Sequence, residues 1–164
     1  MIIVEAVSQD HDLGRLVDEI NAASWDAAND MAEYGVEALR EYLGRQDTIF
    51  VACHEVTQGQ RLLLGIASAR VETKPYGRER WLYVDEVDVC ADRRRRGAGT
   101  AIMRKLLEIA EAARCAEVWL GAEANNQAAN ALYRALRPDD DRPVVGYTFE
   151  LREATATPPT SSDC

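Results

Sequence analysis

One short stretch decides the fold of this chain: Arg94-Arg95-Arg96-Gly97-Ala98-Gly99-Thr100. It follows a strand-like run at 81–89 (WLYVDEVDV) and precedes a helical run at 101–110 (AIMRKLLEIA). The first amides of a helix have no intrahelical partner, and the helix dipole adds about half a positive charge there. Glycine lets an anion approach the backbone without meeting a Cβ. Strand, glycine-rich turn and helix in this order therefore predict a site for a diphosphate group.

Two common phosphate motifs do not fit this phosphate loop, residues 94–100. A dinucleotide fingerprint needs Gly-x-Gly-x-x-Gly, but Ile102 stands where the third glycine would be. A P-loop needs Gly-Lys-Ser/Thr, and the sequence has no such tripeptide. Arg94, Gly97 and Gly99 instead satisfy Arg/Gln-x-x-Gly-x-Gly/Ala. A second segment, 126–133 (NQAANALY), follows with the spacing Asn-x-x-Ala-x-x-Leu-Tyr.

These two segments, in this order, resemble the GNAT superfamily of N-acetyltransferases, and the resemblance extends over residues 80–151. It implies an α/β fold with a mixed central β-sheet flanked by helices, and acetyl-CoA as the co-substrate. One departure lies at the end of the second motif. Most members have Leu-Gly-Phe there, whereas Leu136 is followed by Arg137 and Pro138. The turn into the last strands is therefore expected to differ.

The resemblance also implies which residues hold the cofactor. Backbone groups near Val87 and Val89 should pair with the pantetheine arm where adjacent strands splay apart. Asn126 should bind the pantetheine or phosphate side, and Tyr133 should protonate the departing thiolate. The alternative for Tyr133 is a helix residue whose ring packs in the core. The pyrophosphate should be held by the phosphate loop, chiefly by its amides: Arg94, Arg95, Arg96, Gly97, Ala98, Gly99 and Thr100.

Three carboxylates are candidates for the general base. A base is needed because an alkyl ammonium with a pKa of about 10 is mostly charged at neutral pH. Glu86 and Asp88 alternate with Val87 and Val89, and so face away from the apolar side of their strand. Glu123 follows the next strand and is the third candidate. All three also fit solvated carboxylates or charge partners of arginines.

Within the superfamily, the chain is most similar to the aminoglycoside 3-N-acetyltransferases. The similarity lies in residues 83–89, the phosphate loop, Glu123 and residues 146–151. In that group the loop ends in Gly-x-Ala-Thr, so Gly99 is a departure, and the position of Asn126 can be acidic. The resemblance implies a cationic small-molecule amine, an aminoglycoside antibiotic, as acceptor. A protein or peptide N-acetyltransferase and a non-catalytic acyl-CoA-binding module remain as alternatives.

Composition fits one enzyme-sized domain. A chain of 164 residues supports one core, and we assign the domain to residues 1–153 and a tail of loop composition to 154–164. With 28 acidic and 19 basic residues, the net charge of −9 favours cationic ligands and opposes nucleic acid as a partner. No stretch approaches the roughly 18 apolar residues of a membrane span, and the start lacks a signal pattern. The sequence leaves open whether the protein forms a homodimer.

The cysteines indicate compartment and metal content. Cys53, Cys90, Cys115 and Cys164 show no Cys-x-x-Cys spacing, so we expect buried free thiols, a cytoplasmic location and no metal site.

Hydrophobic periodicity and turn residues predict the order of the elements. We expect a helix at 9–23 with Ser8 as its N-cap, and a second helix at 26–43. Its acidic residues, which are Asp26, Asp30, Glu33 and Glu37, form either a surface for a cation or its solvated face. Strands are expected at 1–7, 48–56, 62–73, 81–89, 115–121 and 144–151, with a hairpin turn at 57–60.

Overall fold

A computed structural model describes residues 1–27 and 31–149. Five strands form one sheet in chain order. They are β1 (Ile2–Ala6), β2 (Thr48–Thr57), β3 (Gln60–Thr73), β4 (Arg80–Val89) and β5 (Glu117–Trp119). Neighbours from β1 to β4 run antiparallel, while β5 runs parallel to β4. The mixed sheet predicted from the sequence is confirmed.

Within the described residues, four α-helices flank this sheet, as the α/β class requires. They are α1 (Leu13–Asn21), α2 (Val36–Gly44), α3 (Ala98–Ala112) and α4 (Gln127–Ala135), and a 3₁₀ turn at Ala91–Arg93 links β4 to the phosphate loop. α1 and α2 cover one face, where Ile20 and Leu39 pack on Phe50 and Ile66. α3 and α4 cover the other face, where they pack on sheet residues such as Val51 and Leu82.

The β2–β3 hairpin turns as its composition predicts. Thr57 pairs with Gln60, so two residues form the loop. Gln58 and Gly59 both have positive φ, at 51° and 78°. Two left-handed residues in a two-residue loop are the geometry of a type I′ turn, which matches the twist of the flanking strands.

A β-bulge in β4 sets which side chains face which helices. Ser68 pairs with Glu86 while its neighbour Ala69 pairs with Val84, so Asp85 is the extra residue. A bulge shifts the alternation of side chains by one residue. Leu82 and Val84 before the bulge, and Val87 and Val89 after it, therefore all pack on the α3 side.

The expected first helix is wrong at its start. The helix begins at Leu13, and Asp12 is its N-cap, since Asp12 Oδ1 accepts a hydrogen bond from the Arg15 amide at 3.0 Å. The backbone amide of Ser8 donates instead to His11 Nδ1 at 3.0 Å. Ser8 therefore closes a turn before the helix rather than capping it.

The expected second helix is also wrong at its start. The α-helix begins at Val36, and Gly35 is its extended N-cap. Asp26 and Glu33 lie in the preceding loop, so they share no helix face with Glu37. Asp30 lies outside the described residues.

The expected final strand is wrong over residues 144–149, which join no sheet. Four of their apolar side chains are exposed: Val144, Val145, Tyr147 and Phe149. Residues 150 and 151, and the tail at 154–164, lie outside the described residues.

Cys53 and Cys90 are buried free thiols and Cys115 is half-buried, while Cys164 lies outside the described residues. Within residues 1–27 and 31–149 no helix has the length and hydrophobicity to cross a bilayer.

Candidate active site

The phosphate loop leads directly into α3. Gly97 is the N-cap of α3 with φ at 87°, a left-handed conformation that glycine adopts without strain. The first intrahelical bond runs from the Ala101 amide to the Gly97 carbonyl at 3.0 Å. The amides of Ala98, Gly99 and Thr100 precede it, in the turn where a helix lacks internal acceptors. This turn can hold an anion through its backbone.

The arginine side chains of the loop pair with the protein itself. Arg94 Nη2 lies 2.5 Å from Asp26 Oδ2, and Arg96 Nη1 lies 2.8 Å from Glu55 Oε2. Arg95 is exposed and has φ at 61°, also left-handed. The loop is therefore joined to the α1–α2 loop and to β2, and its anion site relies mainly on amides and Arg95.

β5 pairs with only the first part of β4. Their parallel pairing covers only Trp81 to Tyr83 on β4, whereas β4 continues to Val89. In the part of the chain that the structure describes, no strand pairs with residues 84–89 on that side. Leu132 and Tyr133 of α4 pack near this opening, against the α3-side core. Among the described residues, the backbone of β4 around Val87 and Val89 therefore has no strand partner on the β5 side.

Glu86 and Asp88 lie on the opposite face of β4 from Val87 and Val89. Their partners across the ladder are Ser68 and Ile66, and Ile66 belongs to the α1–α2 core. Asp88 is buried, with 8% of its surface exposed. Partial burial raises the pKa of Glu86, and the nearby carboxylates of Asp88 and Asp85 raise it further. A carboxyl group with a raised pKa is a better proton acceptor once it is ionised.

The strand that carries these carboxylates lies unusually close to β3. A Cβ built on Gly65 would lie 2.4 Å from the carbonyl oxygen of Asp88 and 3.2 Å from Val89 Cα. Glycine at position 65 therefore permits the backbones of β3 and β4 to approach each other closely at Asp88.

Tyr133 lies near Asp88. Burial raises the pKa of its phenol, and the negative charge of Asp88 raises it further. The hydroxyl therefore stays protonated across the physiological range, as a proton donor requires. Its ring also packs on the α3-side core, so the catalytic and the packing interpretations are both compatible with this position.

Tyr34 also belongs to this region, although the sequence analysis placed it within a helix. Burial raises its pKa to about 12, with contributions from the charges of Glu86 and Asp88. Asn21 fixes it through two hydrogen bonds, accepting from the Tyr34 amide at 2.9 Å and donating to its carbonyl at 3.0 Å. The signal that could have found it is Gly35, which marks the helix start just after Tyr34.

Asn126 and Glu123 organise the start of α4. Asn126 is the N-cap, and its Oδ1 accepts from the Ala129 amide at 3.0 Å. The carbonyl of Glu123 accepts from the Asn126 amide at 3.0 Å and from Asn130 Nδ2 at 2.9 Å. Both side chains are in exposed positions after β5. Over the described residues, no cluster of His, Cys, Asp and Glu forms a metal site.

A strand, a glycine-capped helix start, a short parallel strand and a second helix thus follow one another in this region. Residues 16–136 match the Acetyltransferase (GNAT) family. The chain belongs to this family, whose members use acetyl-CoA.

Solved structures share the fold. An aminoglycoside acetyltransferase, meta-AAC0020, from an uncultured soil metagenomic sample, in complex with sisomicin, has a TM-score of 0.76 at 17% identity, with 92% of this chain and 97% of that chain covered. A second soil metagenomic aminoglycoside acetyltransferase, HMB0005, gives 0.76 at 21% identity, with coverage of 93% and 99%. Ribosomal-protein-alanine N-acetyltransferase from Brucella melitensis biovar Abortus 2308 has a TM-score of 0.65 at 16% identity, with 92% of this chain and 100% of that chain covered.

No curated protein sequence matches this chain. Because the structural neighbours have low sequence identity, their likeness shows the fold and leaves the acceptor to be argued from this chain's own residues.

Proposed function

We propose that this protein transfers the acetyl group of acetyl-CoA to an amine of a cationic small molecule, an aminoglycoside. The observation that carries the proposal is the position of Glu86 and Asp88. Both lie on the face of β4 opposite the α3-side core, next to the opening between β4 and β5. Carboxylates beside an acetyl donor attract an ammonium group and can accept its proton.

The phosphate loop binds the diphosphate in this proposal. The amides from Arg95 to Thr100 donate to the phosphate oxygens, and Asn126 contributes from the start of α4. Backbone groups of Val87 and Val89 pair with the pantetheine arm. A β4 amide then donates to the thioester oxygen and stabilises the negative charge that develops on it.

Proton transfers balance around the thioester. Glu86 or Asp88 accepts a proton from the ammonium, directly or through a water, with Glu123 as the remaining candidate. The neutral nitrogen forms a bond to the carbonyl carbon, and the carbon–sulfur bond breaks. Tyr133 supplies the proton that the departing thiolate takes up, and it recovers a proton from the newly bonded nitrogen, which loses its second proton as the amide forms. The contribution of Tyr133 is modest because a thiol with a pKa of about 8.5 already leaves fairly well as thiolate.

Aromatic rings on the face of β4 that carries Glu86 and Asp88 support a large cationic acceptor. Trp81 and Tyr83 stack with centroids 6.0 Å apart, and Trp119 lies 5.7 Å from Tyr83. Lys74 Nζ lies 3.9 Å from the centroid of Trp81. The rings thus already contact one ammonium group, which is the type of contact that a polycationic amine makes.

An acceptor panel tests the proposal. Release of thiol from acetyl-CoA is measured with sisomicin, spermidine and a peptide with an N-terminal alanine. We expect the fastest turnover with sisomicin, and a KM that rises with salt as screening weakens attraction to the carboxylates. Glu86→Gln should raise that KM, whereas Glu108→Gln, an exposed carboxylate on α3, should not. Peptide acetylation without sisomicin acetylation would assign a protein N-acetyltransferase, and acetyl-CoA binding without any turnover would assign a non-catalytic module.

A further inference from the structure

The described parts of the α1–α2 loop, residues 22–27 and 31–35, approach both halves of the site. At one end the Ala91 amide donates to the Ser24 carbonyl at 2.7 Å, just before the phosphate loop. At the other end, Tyr34 packs on the core that contains Ile66, the ladder partner of Asp88, and Asn21 at the end of α1 holds Tyr34 by two hydrogen bonds. The loop therefore connects the diphosphate site with the carboxylates that face the acceptor.

One ion pair forms the charged part of this connection. Arg94 Nη2 lies 2.5 Å from Asp26 Oδ2, and the two residues are 68 positions apart in the sequence. Their side chains are 43% and 36% exposed. Exposed pairs are weak and exchange easily, so a neighbouring anion can change how the arginine is held. Arg94 belongs to the loop that is expected to bind a diphosphate.

From this geometry we infer that Asp26 is a positioning residue, which couples cofactor binding to the acceptor side through Arg94. A guanidinium has five N–H donors and can serve a carboxylate and a phosphate together. A bound diphosphate restrains Arg94, and Arg94 restrains Asp26 and the α1–α2 loop. Cofactor binding then restrains residues 24–26, a few positions after Asn21, whose side chain holds Tyr34 on the face of β4 that carries Glu86 and Asp88. The inference rests on the proposed use of the phosphate loop for coenzyme A.

Hydrogen–deuterium exchange with coenzyme A as the probe tests this without any acceptor. In the wild-type chain, coenzyme A should slow exchange in peptides covering 94–101 and also in those covering 21–27. Asp26→Asn should keep the protection at 94–101. Its protection at 21–27 should be about two- to fivefold weaker than in the wild type, which is the range set by an exposed ion pair. Asp26→Glu should restore most of it, because the carboxylate is retained.

Glu55→Gln is the matched control. Glu55 pairs with Arg96 of the same loop at 2.8 Å and has a similar exposure of 31%, but it lies on β2. It should leave protection of residues 21–27 unchanged. Equal protection of 21–27 in Asp26→Asn and wild type would overturn the inference while leaving the proposed function intact. Absence of any protection at 94–101 would instead contradict the proposed cofactor site.

A second readout follows acceptor affinity. The wild-type chain should bind sisomicin more tightly with coenzyme A present than without it, by reciprocity of linked sites. Asp26→Asn should reduce this ratio, and Glu55→Gln should not. An unchanged ratio in Asp26→Asn would count against the coupling role.

Discussion

Gly99 and Leu132 are in such close contact that a Cβ built on Gly99 would lie 2.8 Å from Leu132 Cδ2. This contact joins the first turn of α3 to α4, and so joins the phosphate loop to the helix that carries Tyr133. It also accounts for glycine at position 99, which the sequence analysis noted as a departure. In this chain Leu132 occupies the space that the alanine methyl would need.

We therefore expect Gly99→Ala to destabilise the fold. Forcing a methyl group into a packed contact costs about 1–3 kcal/mol. Urea denaturation of the purified protein measures the loss in free energy of unfolding. In the double variant Gly99→Ala with Leu132→Ala, the second change makes room for the first, so the combined loss should be smaller than the sum of the two single losses. Simple additivity would show that the two side chains do not compete for this space.

Tyr133→Phe should lower kcat and leave the affinity for acetyl-CoA nearly unchanged. The hydroxyl acts on the departing sulfur, which leaves fairly well without help, so we expect a loss of about tenfold, below the ~10²–10⁴-fold range of general acid–base catalysis. Steady-state kinetics and a thermal shift with acetyl-CoA measure the two quantities. Tyr76→Phe, at an exposed tyrosine in the β3–β4 turn, is the control. A kcat equal to that of the wild type would leave Tyr133 as a packing residue.

Glu86 should give the rate a dependence on pH. Its pKa is raised by partial burial and by the carboxylates of Asp88 and Asp85. The basic form accepts the proton, so kcat/KM should fall as the pH falls through this raised pKa, earlier than for an ordinary carboxyl group. Glu86→Gln should lower kcat/KM and remove this acid limb, and Glu79→Gln should keep it. Retention of the limb in Glu86→Gln would move the role to Asp88 or to solvent.

Glu86 also affects the stability of the fold, and ionised Glu86 lowers this stability although it supports activity. Because its pKa is raised on folding, the folded state binds the proton more tightly than the unfolded state does. That contribution is present at low pH and is lost as pH rises through the folded pKa. Glu86→Gln should therefore raise Tm slightly at pH 7 while it lowers activity. A lower Tm at pH 7 would contradict the direction of the pKa shift.

A buried histidine gives an independent test of acid stability. His54 is buried on β2, with Nε2 2.9 Å from Glu19 Oε2 and Nδ1 3.0 Å from Arg61 Nη2. Arg61 can only donate, so Nδ1 accepts and Nε2–H donates to Glu19. Burial raises the pKa of Glu19, but the hydrogen bonds from His54 and Arg15, together with the positive charge of Arg15, outweigh it and lower the pKa overall.

Glu19→Gln should therefore lower Tm at neutral pH, by several degrees. The stabilisation by a carboxylate with a lowered pKa is full above its unfolded pKa and is lost as pH falls through its folded pKa. The difference in Tm from the wild type should then shrink below pH 4. Calorimetry between pH 3 and pH 7 measures it, with the exposed Asp18→Asn as the control. A difference that stays constant over this range would exclude the charge as its cause.

Local signals gave the right answer where the backbone required a particular residue. Gln58 and Gly59 form a hairpin turn because both adopt positive φ, and the glycine there is visible in the sequence. The strand, glycine loop and helix at 80–112 were found for the same reason. Here the local preference and the tertiary structure agree.

Competition between neighbouring groups explains what the sequence analysis missed. Ser8 and Asp12 are both good N-caps, and only the contact of Ser8 with His11 decides between them. The segment before α2 has helical spacing, but Asn21 holds Tyr34 in a loop through two hydrogen bonds. The apolar residues at 144–149 predict a strand, yet a strand exists only with a paired neighbour, which composition cannot supply.

The site residues divide in the same way. The phosphate loop could be predicted because its chemistry lies in consecutive residues. The contacts of Tyr34 and the ion pair between Arg94 and Asp26 join positions that are distant in sequence. A single sequence therefore gives no sign of them. The bulge at Asp85 likewise depends on register with β3.

The lack of space for a Cβ at Gly65, next to the carbonyl oxygen of Asp88, limits how this enzyme can evolve. The obstacle at 2.4 Å is backbone, so no change of rotamer can relieve it. Exposed positions in the described parts of the α1–α2 loop, such as Glu33, can accept substitutions one step at a time. Position 65 offers no such steps. Laboratory selection for new acceptors should therefore accumulate mutations around this glycine and leave it unchanged.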